Sequence, residues 1–130
     1  MSIRVRCALS FLVLVTAAHA GDVPATDNFP SPDSDPMTAY YGNTVITRDG
    51  GYVSHFYYKP DHRFSGKVPA YMFAFQGTWS LMPDGTLCRI FEPPLPRTKN
   101  PDCGPLRVHR LGDEEREPNG DAAKLVAGIE

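Results

Sequence analysis

The stretch from residue 70 to residue 92 constrains the fold of this chain more than any other part of the sequence. Two apolar, aromatic-rich runs flank the segment 82–85 (Met-Pro-Asp-Gly), whose proline and glycine are typical of a reversing turn. The pattern predicts a β-hairpin, with Trp79 just before the turn and Cys88 just after it. Such a hairpin needs partner strands, which the rest of the chain must supply.

The segments around the hairpin have the composition of further short strands. Residues 52–58 are aromatic and β-branched almost throughout, and Gly66 indicates a bulge or bend in the segment that follows. Besides the hairpin, the predicted strands are 42–48, 52–58, 62–68, 106–111 and 122–129, with an acidic turn region at 112–121. Because turns rich in Gly, Pro and Asp separate these strands, we expect an all-β antiparallel meander. We favour a small β-barrel, which removes exposed sheet edges, over the alternative of a β-sandwich.

The first twenty residues have the features of a secretory signal peptide. Arg4 and Arg6 form a basic region, residues 8–18 are almost entirely apolar, and Ala-His-Ala at 18–20 is a pattern that signal peptidase accepts. We therefore expect residues 1–20 to be removed and the protein to be periplasmic or secreted. Residues 21–38, which contain four prolines, are predicted to be a disordered leader, and residues 39–130 a single β-domain.

The cysteines are consistent with an exported protein. Of the three cysteines, Cys7 leaves with the signal peptide, which leaves Cys88 and Cys103 as an even pair. An even pair in an exported chain predicts one disulfide. The alternative is that both are metal ligands, but the two do not have the Cys-x-x-Cys spacing that is common in zinc sites.

The mature chain is mildly acidic. The sequence has 13 Lys and Arg against 15 Asp and Glu, and removal of Arg4 and Arg6 leaves 11 basic residues against the same 15 acidic ones. This balance, without any basic run, gives no electrostatic basis for binding nucleic acid. The mature sequence has no apolar segment long enough for a membrane span. We therefore expect a monomer that has neither a membrane span nor a cofactor.

Four short motifs resemble those of a group of small exported bacterial β-proteins. They are Gly-Asn-Thr at 42–44, Tyr-Tyr at 57–58 before a Pro-Asp turn, Gly-Thr-Trp at 77–79, and Asp-Gly-Thr-Leu-Cys at 84–88. The resemblance covers residues 40–110 and implies export, β architecture and a disulfide, without a settled activity. Gly-Thr-Trp is also similar to the Gly-x-Trp of lipocalins and avidins. In those families the motif lies in the first strand, whereas here it lies mid-chain, so no ligand residues are carried over.

The aromatic residues are the main candidates for a binding site. Aromatic side chains are abundant for one small core, and tyrosine combines an apolar ring with a polar tip that suits a ligand cavity or a protein contact. The alternative is that these aromatics are core and barrel-rim residues. The candidate binding residues, with two cations near the predicted disulfide loop 93–105, are Tyr57, Tyr71, Phe73, Phe75, Trp79, Arg97 and Arg107. They predict a protein that binds a small apolar or aromatic ligand, or a protein partner, without catalysis.

Two other functions are compatible with the sequence. His55 and His62 flank one predicted turn, and with Asp61 they would offer imidazole and carboxylate ligands to a divalent metal, or a base to a small hydrolase. Neither a His-x-His nor a Gly-x-Ser-x-Gly motif supports these alternatives. A secreted inhibitor or interaction domain that acts through the proline-rich loop 93–105 is the third hypothesis.

Overall fold

A computed structural model describes residues 35–130 and contains eight antiparallel strands and two short 3-10 turns. The strands are β1 (Thr44–Asp49), β2 (Tyr52–Tyr58), β3 (Arg63–Val68), β4 (Phe73–Leu81), β5 (Thr86–Phe91), β6 (Asp102–Pro105), β7 (Glu114–Arg116) and β8 (Ala122–Val126). The 3-10 turns are Thr38–Tyr40 and Pro69–Tyr71. The predicted signal peptide, 1–20, lies outside the described residues, as does most of the predicted leader, 21–38.

All eight strands belong to one curled sheet with the order β6-β5-β4-β3-β2-β1-β8-β7. Strands β1 to β6 form a meander in which each strand pairs with the next, and β8 then returns to pair with the free side of β1. The prediction of an all-β, barrel-like fold is confirmed. The barrel is a half-barrel, because β6 and β7 remain as two edges that do not pair with each other.

The first five strands and β8 lie where the sequence pattern predicts them, and the region between β5 and β8 does not follow the prediction. The predicted strand at 106–111 is wrong: β6 lies earlier in the chain, and residues 106–109 join no ladder. Strand β7 was also missed, since it lies in the predicted acidic turn region. The alternation at 106–111 has another cause, because Val108 is buried in the core while its neighbour Arg107 pairs with acidic residues.

The concave face of the sheet carries the hydrophobic core. Phe56 lies at the centre of this core. Its ring centroid is 5.0 Å from the ring centroid of Phe75 and 6.1 Å from that of Phe64. Successive residues of a strand point to opposite faces, so inward aromatics alternate with more exposed residues on β2 and β4. The buried hydrophobic residues are Met37, Tyr40, Val45, Phe56, Tyr58, Phe64, Phe75, Trp79, Phe91, Val108, Ala123 and Leu125.

One end of the half-barrel is closed by the chain that precedes β1. Met37 is fully buried although the sequence placed it in the leader, and Tyr40 packs edge-to-face on Tyr58 at 5.5 Å. Trp79 lies below them and donates its indole N–H to the carbonyls of Lys59 and Arg63, at 3.0 and 3.1 Å. The first 3-10 turn therefore acts as a plug for this closed end.

The segment between β6 and β7 covers the open side of the half-barrel. The hydroxyl of Tyr40 donates to the carbonyl of Val108, which holds the segment over the core. The guanidinium of Arg107 lies 3.2 Å from Asp49, 3.6 Å from Glu115 and 3.7 Å from Glu117. The two longer contacts are ion pairs without hydrogen-bond geometry, because Arg107 Nε and Nη2 have no hydrogen-bond partner. Arg107 thus ties the covering segment to β1 and to the β7 edge.

Two glycines in the strands make room for neighbouring groups. Gly66 pairs in regular register with Phe56 and with Phe75, so the predicted bulge at this position is wrong. A Cβ added at Gly66 would lie 2.2 Å from Phe75 Cε2, and one at Gly77 would lie 1.9 Å from the carbonyl oxygen of Ile90. The absence of a side chain is therefore a packing requirement of the core.

The disulfide predicted from the cysteine count is confirmed. Cys88 on β5 and Cys103 on β6 are directly paired cross-strand residues, and their sulfur atoms are bonded. Because the two cysteines are 15 residues apart, the loop-entropy model gives a stabilisation of about 3 kcal/mol. The bond fixes the register of the short edge strand β6 against β5.

We predict that Gly66→Ala and Gly77→Ala each lower the free energy of unfolding by about 1–3 kcal/mol, because overpacking displaces the groups that they meet. The cost at Gly77 should be at least as large, since the group in its way is backbone and not a ring that can tilt. The matched control is Gly104→Ala, where an added Cβ meets nothing within 4 Å. Urea unfolding measures all three variants, and equal stabilities would contradict this account of the core.

We also predict that the double variant Cys88→Ser and Cys103→Ser is about 3 kcal/mol less stable than the oxidised wild type. Urea unfolding of the wild type with and without reductant provides the comparison, because reduction breaks the same bond without changing a residue. A loss below about 0.5 kcal/mol in both experiments would show that the bond contributes little to the fold.

Candidate functional site

The end of the half-barrel opposite the plug is open. Three connections meet there: the turn at 50–51, the second 3-10 turn at 69–71 and the loop at 92–101. Between them lies a cleft of about 590 Å³ that runs down the concave face of the sheet. This volume lies within the range of clefts that bind small molecules. We call this cleft the mouth cleft.

The walls of the mouth cleft are mostly apolar and aromatic. Phe75 and Phe91 stand in the interior with ring centroids 5.6 Å apart, and Phe73 continues the aromatic surface to the rim, 6.5 Å from Phe75. The residues that line the cleft are Thr47, Asp49, Gly50, Tyr52, Ser54, Phe56, Val68, Phe73, Phe75, Arg89, Phe91, Leu95, Pro96, Arg97, Thr98 and Asp102. None of these described residues is a histidine or a cysteine.

An ion pair forms the polar floor of the mouth cleft. Arg89 on β5 and Asp102 on β6 are paired residues of the ladder, and their side chains form a salt bridge. The Arg89 guanidinium carbon lies 4.4 Å from the centre of the Phe56 ring, so a cation–π contact helps to hold the group in place. The side chains of Arg89 and Asp102 keep 22% and 30% of their exposure, which leaves both accessible from the cleft.

The buried Tyr58 is a further neighbour of Arg89 and interacts with it electrostatically. Burial raises the pKa of Tyr58, and the positive charge of Arg89 opposes this effect in part. Burial lowers the pKa of Arg89, but the interactions with Tyr58 and Asp102 outweigh this effect. The net shift of the pKa is therefore upward. Arg89 therefore stays charged and Tyr58 stays neutral in the physiological range.

A smaller cavity of about 350 Å³ lies deeper in the half-barrel, towards Tyr40 and Arg107. The two cavities share Thr47, Asp49, Arg89 and Asp102 in their walls. The Arg89–Asp102 pair therefore forms a partition between the mouth cleft and the inner cavity.

The loop at 92–101 forms one side of the rim and is tied to the sheet. The side chain of Asn100 accepts a hydrogen bond from the Phe91 N–H at 3.0 Å and donates to the Phe91 carbonyl at 3.3 Å. It thus pairs with Phe91 as a strand residue would. Arg97 lies in this loop with a left-handed φ of +61° and presents an exposed cation at the rim.

The structure brings together three of the predicted ligand-binding residues. Phe73, Phe75 and Arg97 all line the mouth cleft. Trp79 is buried at the closed end, and Arg107 lines the inner cavity within its cluster of acidic residues.

Two other predicted binding residues lie outside both cavities. Tyr57 faces the outer surface and donates its hydroxyl proton to the backbone oxygen of Glu130. Tyr71 is 66% exposed and packs against Tyr52 at 5.7 Å. Met72 beside it is 97% exposed, so an apolar lip borders the cleft at this point.

The predicted metal-binding residues are not assembled into one site. His55 pairs with Lys67 across the β2–β3 ladder and contacts the Glu130 backbone oxygen at 3.2 Å. His62 lies at the closed end, where its ring stacks on Trp79 at 4.3 Å. Asp61 accepts a hydrogen bond from the backbone of Arg63. Within residues 35–130 there is no group of three or more His, Cys, Asp or Glu residues placed to hold a metal ion.

Sequence reasoning missed the polar floor. Arg89 interrupts an apolar strand, and by alternation it shares a face with Leu87 and Phe91, both of which pack into the core. A charged residue at an inward strand position is a recognisable signal of a buried ion pair. Its partner could not be predicted, because β6 was not recognised as a strand.

The fold and the site together define a curled β-sheet protein with a cleft of small-molecule size. Comparisons with protein-family models, curated proteins and solved structures give no match. Within the described part of the chain, neither 3-10 turn is long and apolar enough to cross a membrane.

We predict that alkaline pH destabilises the fold through two buried tyrosines. Burial raises the pKa of Tyr40, as it does that of Tyr58, and the neighbouring Tyr58 raises it further. An unfolded tyrosine loses its proton near pH 10. Above that pH the unfolded state binds fewer protons than the folded state, so stability falls by up to about 1.4 kcal/mol per pH unit for each tyrosine.

Urea unfolding between pH 9 and pH 11.5 measures this slope in the wild type and in Tyr40→Phe. The variant should have a slope above pH 10 that is shallower by about 1.4 kcal/mol per pH unit, because one linked proton is removed. The same variant at pH 7 gives the separate cost of losing the hydrogen bond to Val108. Identical slopes in the two proteins would contradict the role of Tyr40.

Proposed function

We propose that this protein is an exported, non-enzymatic binding protein that holds a small apolar or aromatic ligand in the mouth cleft. The observation that carries the proposal is a concave face closed at one end by the plug and open at the other through about 590 Å³ lined by phenylalanines. Burial of ligand surface against these rings supplies the binding energy. The disulfide fits a periplasmic or extracellular location, where such bonds persist.

Two features favour ligand binding over the alternative functions. The mouth cleft has a serine, Ser54, but none of its described lining residues supplies the imidazole base that a serine hydrolase needs. Its concave shape also suits a small molecule better than a protein surface. A groove of about 520 Å³ on the outer face is a weaker candidate, because it contains the exposed Arg116–Glu114 ion pair and has, among its described lining residues, no aromatic ring other than that of His55.

We predict that the mature protein binds the neutral fluorescent probe N-phenyl-1-naphthylamine saturably, with an increase in emission as the probe leaves water. Ser54→Trp should weaken binding at least about tenfold, because the added ring occupies the cleft that the probe needs. Trp79 is not a suitable reporter, since it lies at the closed end of the half-barrel.

The matched control for this experiment is Ser80→Trp, which adds the same ring to an exposed position on β4. It should leave the affinity unchanged. Equal affinity in Ser54→Trp and Ser80→Trp would place the probe outside the mouth cleft. Failure of the wild-type protein to bind the probe would count against the proposed function itself.

A further inference from the structure

We propose that the mouth cleft selects an uncharged ligand whose polar head both donates and accepts hydrogen bonds, bound with that head on the Arg89–Asp102 pair and its apolar body against the phenylalanines. This inference rests on the proposed function and specifies the chemistry of its ligand. Its basis is the composition of the cleft floor, where one full positive and one full negative charge stand side by side.

The floor has capacity for further hydrogen bonds. A guanidinium offers five N–H donors and a carboxylate about four acceptor positions. Arg89 donates to Asp102 through Nη2, and Asp102 accepts through Oδ2. A ligand head that donates to Asp102 and accepts from Arg89 therefore adds bonds without breaking the ion pair. An amide or a hydroxyl group has both functions.

A charged ligand head is disfavoured, whether it is an anion or a cation. An anion that approaches Arg89 also meets the carboxylates of Asp102 and Asp49, and a cation that approaches Asp102 meets Arg89 and, at the rim, Arg97. The local charges nearly cancel, so the desolvation of a third charge is not compensated. The face of Phe56 that would attract a cation is already covered by Arg89.

The apolar part of the ligand has a defined position. Phe91 and Phe75 stand above the ion pair, with Arg89 6.0 Å from the Phe91 ring, and Phe73 continues the surface outward to the solvent. The Arg89–Asp102 pair thus lies at the bottom of the cleft and the phenylalanines along its walls. This order favours an aromatic molecule with one polar end that enters head first.

The test is isothermal titration calorimetry of the mature protein with four ligands that share one body: 2-naphthamide, 2-naphthoate, 2-naphthylmethylammonium and 2-methylnaphthalene. We expect 2-naphthamide to bind at least about tenfold more tightly than each of the other three. Equal affinities for all four would overturn the inference and leave the proposed function standing. Preference for the carboxylate or the ammonium compound, or binding of none of the four, would also overturn it. The probe experiment above decides the proposed function independently.

Two variants give the same test a second readout. Asp102→Asn removes the negative charge and leaves Arg89 uncompensated, so the preference should move at least about tenfold from the amide toward 2-naphthoate. The matched control is Asp84→Asn, which neutralises an exposed carboxylate in the turn at the closed end and should leave the order of affinities unchanged. An unchanged order in Asp102→Asn would show that the ion pair does not set the selectivity. If Asp102→Asn does not fold, the wild-type series decides alone.

Discussion

The burial of one aromatic face is the constraint on which the rest of this structure depends. Four neighbouring strands, β2 to β5, direct phenylalanine, tyrosine or tryptophan side chains to the concave side. A sheet with only half a barrel's curvature cannot cover that face by itself. Other parts of the chain therefore cover it: the plug at one end and the segment after β6 along the side. The mouth cleft is the part that they leave uncovered, so the candidate site results from incomplete closure of the core.

Much of this fold could be predicted from local sequence. The strand-like composition, the period-two pattern and the turn at 82–85 identified six strands, β1 to β5 and β8, and the cysteine count identified the disulfide. The pattern was misleading where a residue is buried without belonging to a paired strand. Residues 106–111 alternate between apolar and polar because Val108 packs under Tyr40 and Arg107 forms ion pairs with acidic side chains. Neither contact requires hydrogen bonding to a neighbouring strand. Gly66 was interpreted as a backbone irregularity, whereas its role is to admit the ring of Phe75 from the next strand. Such a contact is long-range and leaves no local signal.

The candidate site shows the same division. Aromatic abundance drew attention to Phe73 and Phe75, which line the mouth cleft, but composition cannot tell a cleft wall from a core residue such as Trp79. That distinction depends on the strand end at which each residue lies and on which end the plug closes. The histidines show that proximity in sequence does not assemble a site. His55 and His62 are close in sequence, yet antiparallel pairing places His55 beside Lys67 and His62 against Trp79.

The position of the disulfide has a consequence for the site itself. Asp102 is the residue just before Cys103, and both belong to an edge strand of four residues whose one ladder partner is β5. The covalent link that fixes Cys103 opposite Cys88 therefore also fixes Asp102 opposite Arg89. If that link is opened, the strand that carries half of the floor loses its covalent tie and is held by backbone hydrogen bonds and by the Arg89–Asp102 ion pair itself. Formation of the disulfide and assembly of the floor are thus linked, because the same β5–β6 pairing brings both pairs of residues together.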